Sequence, residues 1–342
     1  MKSRGISTVI ATILMLMITL ALSGAAYLYI SGALTSKTAS AFEIIDEING
    51  NVTIRNSGTE TITSMKATLN GDPVSIAVVP HTLGLVGYWS INENAGTKVR
   101  DSSEIGNTGI TRKREVGSNA ITECSDPPPS GCPQWVDGRF AKALKFHKDP
   151  NVDNYVEVRY RPHLPIVSMT VEAWVNGDTG SFSRIVSQYT DFYLNTHNFL
   201  VDLRNPSLAR EASWSDCGGI DRDIWNHLVA IFDDSQDKIK IYKNGVLCDE
   251  ENAPGQINGW DLSVVYVGSA AADHWSTFDG TIDEVAIYNR ALSEDEIKSR
   301  YSGLVLPGQP ATVKPLISLE KGRHTLRLCT SSMCNTAILT VM

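Results

Sequence analysis

The sequence predicts a mainly β protein with a long N-terminal hydrophobic α-helix, a small β-sandwich head and a large antiparallel β-sandwich inserted into that head. Three observations predict it. Ile6–Ile30 is almost wholly apolar, and no charge intervenes between Arg4 and Lys37. Beyond Lys37 the chain breaks into short alternating or apolar runs separated by Gly, Pro, Asn and Asp, the pattern of strands and turns. The 342 residues also exceed one ordinary domain.

The helix comes first. At about 1.5 Å rise per residue, Ile6–Ile30 would reach roughly 37 Å, enough to cross a bilayer. A secretory signal peptide would show a shorter apolar core followed by a small-residue cleavage site. Here the only processing-like feature, Arg4-Gly5-Ile6, precedes the apolar run, so residues 1–5 read as a leader and 6–40 as a retained helix. A segment apolar on every side must be buried in lipid or among other helices. Ser23, Gly24, Ala25, Ala26, Ser31 and Gly32 would let copies approach closely. Ile6, Ile10, Leu14, Met17, Leu20 and Gly24 are the positions assigned to such packing.

The head follows. Asn51-Val-Thr-Ile-Arg55 and Ser64–Leu69 read as strands, Asn70-Gly71 as a hairpin turn, and Val74–Val79 continues the pattern until Pro80. The C-terminus has the same texture: a Pro307-Gly-Gln-Pro310 turn, then strands at Ala311–Val313, His324–Cys329 and Thr336–Val341. Each stretch of about 40 residues is too small to bury a core alone. Residues 41–81 and 304–342 therefore read as one head, interrupted by an insertion over 82–303. Such insertions are tolerated because lengthening a loop costs little entropy.

Within the insertion, Thr170/Glu172/Trp174 alternate with Val171/Ala173/Val175, which argues an antiparallel sandwich. Trp89 and Trp174 are assigned to the core. Asn244-Gly245 supplies the positive φ angles of a two-residue hairpin. Ser293, with Glu296 three residues on, has the pattern of a capping box opening a short helix.

Net charge is −8 and the only basic cluster past the leader is Arg112-Lys113-Arg114, which argues against nucleic acid as a partner. The histidines form no metal-ligand pair at helical spacing. Six cysteines fall into local pairs, Cys124/Cys132, Cys217/Cys248 and Cys329/Cys334. Disulfides in an exported chain are the favoured reading. Zinc is the competing one, without any C-x-x-C motif to support it. No nucleophile elbow, phosphate loop or zinc-protease motif occurs. Glycoside hydrolysis needs two facing carboxylates, and Glu157 and Glu172 each read as single while Glu250 and Glu251 point to opposite faces. The chain is expected not to be an enzyme.

Two resemblances follow from these residues. Lys2, Arg4, Gly5 and the run Ile6–Leu14 resemble the leader and N-terminal helix of archaeal type IV pilins and archaellins, which carry a class III signal peptide. Asn51–Thr63 and the C-terminal Pro-Gly turn with its strands resemble their β-rich heads. The resemblance implies cleavage by a prepilin peptidase between Gly5 and Ile6, residence in the membrane before assembly, and packing with copies of itself in an extracellular helical filament. Where bacterial relatives carry a Glu, this chain has Ile10. The alternatives are a non-polymerising membrane-anchored surface protein and a minor tip pilin.

The second resemblance runs through Leu85–Trp89, Asp101–Asn107, Gly138–Phe146, Asn154–Val158, Met169–Val175, Trp225–Val229, Ile239–Val246 and Phe278–Leu292. In this order they resemble laminin-G-like, concanavalin A-like domains. This implies adhesion, a glycan or surface-protein ligand bound by loops, and in some members a structural calcium ion. Asp101, the Asn107 carbonyl and Asp283 are the implied ligands, since calcium takes several oxygens. The alternative is that Asp101 caps a turn and Asp283 pairs with a cation. Aromatic faces for a sugar are expected among Tyr189, Phe192, Tyr193, Trp214, Trp260, His274 and Trp275, with Trp214, Trp260 and Trp275 as the main candidates.

Overall fold

The computed structural model describes residues 40–341 except 49, 81–82, 104, 116, 119, 166, 178–182, 189–191, 203–208, 256–260, 271–275 and 318. What it describes is a nearly all-β jelly-roll sandwich architecture, and this corrects the expected fold class. The helices among the described residues are Glu294–Ser302, nine residues long, and a single 3-10 turn at Trp214–Cys217. None is long and apolar enough to cross a membrane. The long hydrophobic helix expected over 6–40 is not seen among the described residues. Gly5, Ile6, Ile10, Leu14, Met17, Leu20 and Gly24 lie outside the described residues.

The described residues divide into two compact units, one lying within 40–76, 305–314 and 319–341, the other within 77–304 and 315–317. In the first, strands Phe42–Ile48 and Asn51–Asn56 form a hairpin with a bulge between Ile44 and Asp46. Asn51–Asn56 then pairs with Pro310–Pro315. A second sheet runs Cys334–Val341, Gly322–Cys329, Lys66–Leu69, Asp72–Val74. Asn70 and Gly71 take φ of 52° and 99°, and the Asn70 carboxamide oxygen accepts from Thr325 N. Alternate residues are buried: Val52 and Ile54, Leu326 and Leu328, Ala337 and Leu339. Asn56, fully buried, donates from Nδ2 to the carbonyls of Glu60 and Val305, which ties the early strands to the returning chain.

The second unit is built from two antiparallel sheets. One has eight strands. Its path runs Gln134–Asp137, Lys142–Phe146, Gly280–Tyr288, Met169–Gly177, Asn226–Asp233, Lys238–Lys243, Val246–Asn252, and Leu85–Trp89 also pairs with Gly280–Tyr288. The other has nine. Its path runs Ala209–Ser213, Asn198–Asp202, Phe192–Asn195, Arg184–Gln188, Asp261–Val267, Val152–Pro165, Gly109–Glu115, Lys98–Val99, with Ile121–Glu123 added beside Gly109–Glu115. One buried cluster lies between the sheets and includes Trp89, Val156, Val158, Tyr160, Val171, Ala173, Val175, Leu228, Ile241 and Val285. The alternation in Met169–Gly177 places Val171, Ala173 and Val175 in that cluster. Trp174, assigned to the core from sequence, is buried, on the face of its strand opposite that cluster, where it stacks on His227 and Tyr301.

The outer face of the eight-stranded sheet is covered by the helix Glu294–Ser302. Ser293 caps it by accepting from Glu296 N, and the Glu296 carboxylate reaches back to Ser293 N, a complete capping box. Ile297 packs with Tyr88, Val229, Ile231, Tyr242, Ala286 and Tyr288 in a second buried cluster. Asn244 and Gly245, at φ of 53° and 79°, close the hairpin between Lys238–Lys243 and Val246–Asn252.

Candidate functional site

The cysteines are all bridged, as Cys124–Cys132, Cys217–Cys248 and Cys329–Cys334. The first closes the proline-rich loop, and the third joins facing residues at the hairpin tip of Gly322–Cys329 and Cys334–Val341. Cys217–Cys248 ties the 3-10 turn after the edge strand Ala209–Ser213 to the edge strand Val246–Asn252, so it joins the two sheets of the larger unit.

The residues named for calcium are engaged otherwise. Asp101 Oδ1 accepts from Tyr88 N and Ser103 N, and Oδ2 from Asn107 N, so this carboxylate organises its own turn. The Asn107 carbonyl accepts from the Trp89 indole at 3.0 Å. Asp283 Oδ2 accepts from Phe140 N. Calcium takes six to eight oxygens; Asp101 and Asn107 share one turn, Asp283 lies on strand Gly280–Tyr288, and each of the three oxygen groups accepts from an N–H. Among the described residues no group of three or more His, Cys, Asp or Glu is placed to hold a metal ion.

Trp214, expected to show its face to a ligand, is 1% exposed. Its indole donates to the Asn195 carbonyl and its ring fills the core between the sheets, which withdraws it from any ligand. Phe192 is buried in the same cluster. Trp260, Trp275, Tyr189 and His274 lie outside the described residues.

What the structure does assemble is a polar patch on the outward face of the nine-stranded sheet. In Val152–Pro165, Val156, Val158 and Tyr160 enter the core, so the alternate residues Asp153, Tyr155, Glu157 and Arg159 share the other face. Asp153, Tyr155 and Glu157 are nonetheless buried. The register brings Arg114 beside Asp153, Arg112 beside Tyr155 and Tyr266 beside Glu157. Asp153 Oδ1 accepts from Ser269 Oγ at 2.5 Å and Thr277 Oγ1 at 2.6 Å, while Oδ2 faces Arg114 at 3.5 Å. Glu157 pairs with Arg159 and, at 3.7 Å, with Arg112, which also reaches Glu123. The Tyr155 and Tyr266 rings meet edge to face at 5.5 Å. The Tyr155 hydroxyl is buried and has no hydrogen-bond partner among the described residues. Burial, with Glu157 and Asp153 beside it, pushes its pKa well above the usual tyrosine range, so it stays a neutral donor.

The sequence held the signal for this patch: Asp153-x-Tyr155-x-Glu157-x-Arg159 is an alternation of polar residues opposite an apolar set. Reading Glu157 as single missed Asp153, two turns of the pleat away on the same face. The two carboxylates are four residues apart, roughly 13 Å along a strand. That exceeds the roughly 5–9.5 Å that glycoside hydrolysis uses, and each already faces a guanidinium.

On the other sheet, Arg300 forks onto Glu172, with Nε 2.7 Å from Oε1 and 2.5 Å from Oε2, and also donates to the Pro80 carbonyl. Burial alone would raise the Glu172 carboxyl, but Arg300 and the His227 ring beside it prevail and hold it near 2. Helix and sheet are joined through this pair, which makes the cluster structural.

Residues 150–298 match the family described as the Concanavalin A-like lectin/glucanases superfamily. They form a concanavalin A-like domain. Among solved structures, the chain is similar to domain 4 of AbnA, a GH43 extracellular arabinanase from Geobacillus stearothermophilus, in complex with arabinotriose. There the identity is 18% and the TM-score 0.44, over 64% of this chain and 98% of that one. It is also similar to the receptor binding domain of botulinum neurotoxin mosaic serotype C/D, at 14% identity and a TM-score of 0.45, over 64% of this chain and 51% of the other. The binding domain of Paraclostridial Mosquitocidal Protein 1 matches at 18% identity and a TM-score of 0.43, over 64% and 52%. The chain thus spans about half the length of those two toxin domains. Among curated proteins, no sequence matches the chain. The lectin-like sandwich of the concanavalin A-like domain supports a binding role.

Proposed function

We propose that this chain is a cell-surface recognition protein whose concanavalin A-like domain binds glycan through the outward face of its nine-stranded sheet. The observation that carries the reading is the row Asp153, Tyr155, Glu157, Arg159, flanked by Arg112, Arg114 and Tyr266. A sheet face that served only as solvent boundary has no need to bury two carboxylates and a phenol. Planar donors and acceptors held in fixed ion pairs, next to aromatic rings, suit the hydroxyls and ring faces of a sugar. Three disulfides support an oxidising, extracellular setting. The test is a glycan array probed with the full chain and with Arg112→Ala. Glycan binding that weakens in the variant supports the reading. Binding only to unglycosylated protein would replace glycan by a protein ligand.

A second reading, a structural subunit of an archaeal type IV pilus-like filament that displays this domain, is favoured by the sequence Lys2-Ser3-Arg4-Gly5 followed by the uncharged stretch Ile6–Ser36. Its test is mass spectrometry of the N-terminal residue in filaments sheared from cells. A chain beginning at Ile6 within filaments supports it, and absence from filaments leaves the surface protein alone.

A further inference from the structure

The disulfide-closed tip Cys329–Cys334 of the smaller unit grips the point at which residues 1–39 join it. Ser40 Oγ lies 2.9 Å from Ser331 Oγ and 3.0 Å from Ser332 Oγ. The Ser40 carbonyl accepts from Thr330 Oγ1 at 2.7 Å and from Ser332 Oγ at 3.1 Å. Phe42 N donates to Met333 Sδ, and Asn335 Nδ2 donates to the Phe42 carbonyl. Strand pairing explains why Phe42 faces the tip. Strand Phe42–Ile48 is at the edge of its sheet. Phe42 stands opposite Asn56, whose N–H and C=O are directed at Gln309 and Gly308. In an antiparallel pair the residue opposite then turns its own backbone groups the other way, and for Phe42 that way leads to Met333 and Asn335. The bridge closing this tip is also the most accessible of the three. Cys124, Cys132 and Cys248 are buried and Cys217 partly so, whereas Cys334 is exposed and Cys329 half-buried. Thiol–disulfide exchange depends on access to the sulfur attacked.

We propose that Cys329–Cys334 is a thiol-operated latch: closed, it holds Ser40 and the outer edge of Phe42, and opened by an external dithiol it lets them go while the unit stays folded. A thiolate of the dithiol attacks Cys334 Sγ. The Sγ–Sγ bond breaks, and its electron pair leaves on Cys329, which takes up a proton. The second thiol of the reagent loses its proton and displaces Cys334, which is protonated in turn. The reagent ends as a disulfide and the protein as two thiols. Contacts that do not run through the tip remain. The Ala41 carbonyl accepts from Ser57 N and Gly58 N, the Phe42 ring is buried, Ile44 pairs with Ile54, and Leu326 and Leu328 pair with Ala337 and Asn335. Opening the latch therefore changes how residues 1–39 are tied to the unit and leaves both of its sheets paired.

The experiment exposes the full chain to graded dithiothreitol, alkylates the thiols that appear, and maps them by mass spectrometry. Amide hydrogen exchange is followed on the same samples, since it reports local opening separately from global unfolding. The double change Cys329→Ser with Cys334→Ser is measured without reductant. Expected is alkylation of Cys329 and Cys334 at reductant levels that leave Cys124, Cys132, Cys217 and Cys248 bridged. Exchange at the Phe42 amide should then rise about tenfold or more, with exchange in 52–56 and 326–328 unchanged, and the double variant should match the reduced protein. Earlier opening of either other bridge overturns the selectivity. An opened tip with Phe42 still protected overturns the latch. Loss of protection in 52–56 and 326–328 together with Phe42 shows that the bridge holds the whole unit, which also overturns it. The reduced full chain gives this reading even where the double variant does not fold.

Discussion

Glu172 shows how one residue on the sheet's outer face becomes a condition of folding. Its carboxylate is buried at the contact of strand Met169–Gly177 with the helix Glu294–Ser302, and the Arg300 guanidinium is what makes that burial tolerable. Removing one partner strands the other charge, which costs about 3–5 kcal/mol. Arg300→Ala should therefore shift the urea midpoint strongly downward, while the paired change Glu172→Leu with Arg300→Met should recover much of the loss. The same pair sets an acid dependence. The folded carboxyl is held near 2, below its ordinary 4.5. Its contribution, on the order of 3 kcal/mol, is fully present above about pH 4.5. It is lost as pH falls from there toward 2. Urea titrations between pH 7 and pH 2 should show this decline, and Glu172→Gln should flatten that part of it. An unchanged slope in the variant would assign the acid sensitivity to other carboxylates.

At the scale of elements, local chemistry was legible and long-range pairing was not. Asn70-Gly71 and Asn244-Gly245 were readable as turns because positive φ is a property of those residues themselves. Ser293 and Glu296 were readable as a cap for the same reason. The alternation of Val171/Ala173/Val175 with Thr170/Glu172/Trp174 identified a strand of a sandwich. It could not say that the face with Glu172 and Trp174 would be covered by a helix more than a hundred residues later. The patch around Tyr155 was missed for a related reason. Asp153, Glu157 and Arg159 look like an ordinary solvated face until the neighbouring strands bring Arg112, Arg114 and Tyr266 into register with them. Trp214 was misplaced because a loop position says nothing about which way an indole turns. Two element-scale consequences can be measured. Ser293→Ala should cost about 1 kcal/mol through loss of the cap, read as a small drop in thermal midpoint. The double change Cys217→Ser with Cys248→Ser frees the two edge strands from each other. It should cost about 2–4 kcal/mol, and reductant should no longer change the stability attributable to this bridge.

For the whole molecule, the two units make opposite predictions about fragments. The larger unit closes both of its sheets with strands from 85–288, holds two of the three disulfides, and has core clusters drawn entirely from its own residues. The smaller unit is discontinuous. Its strand Asn51–Asn56 pairs with Pro310–Pro315, and Lys66–Leu69 pairs with Gly322–Cys329. A fragment 40–76 would keep two hairpins and no partner sheets, and isolated hairpins are marginal in water. Domains that bury their own core unfold cooperatively. Expressed alone, residues 77–318 should give a single sharp calorimetric transition, whereas 40–76 and 319–342 should give none, separately. Mixing those two pieces should restore little structure, because the chain entropy once limited by the connecting domain must then be met by bimolecular association. A cooperative transition in either short fragment would show that the smaller unit does not depend on strands from both ends of the chain. Loss of cooperativity in 77–318 would show that the larger unit needs the smaller to fold.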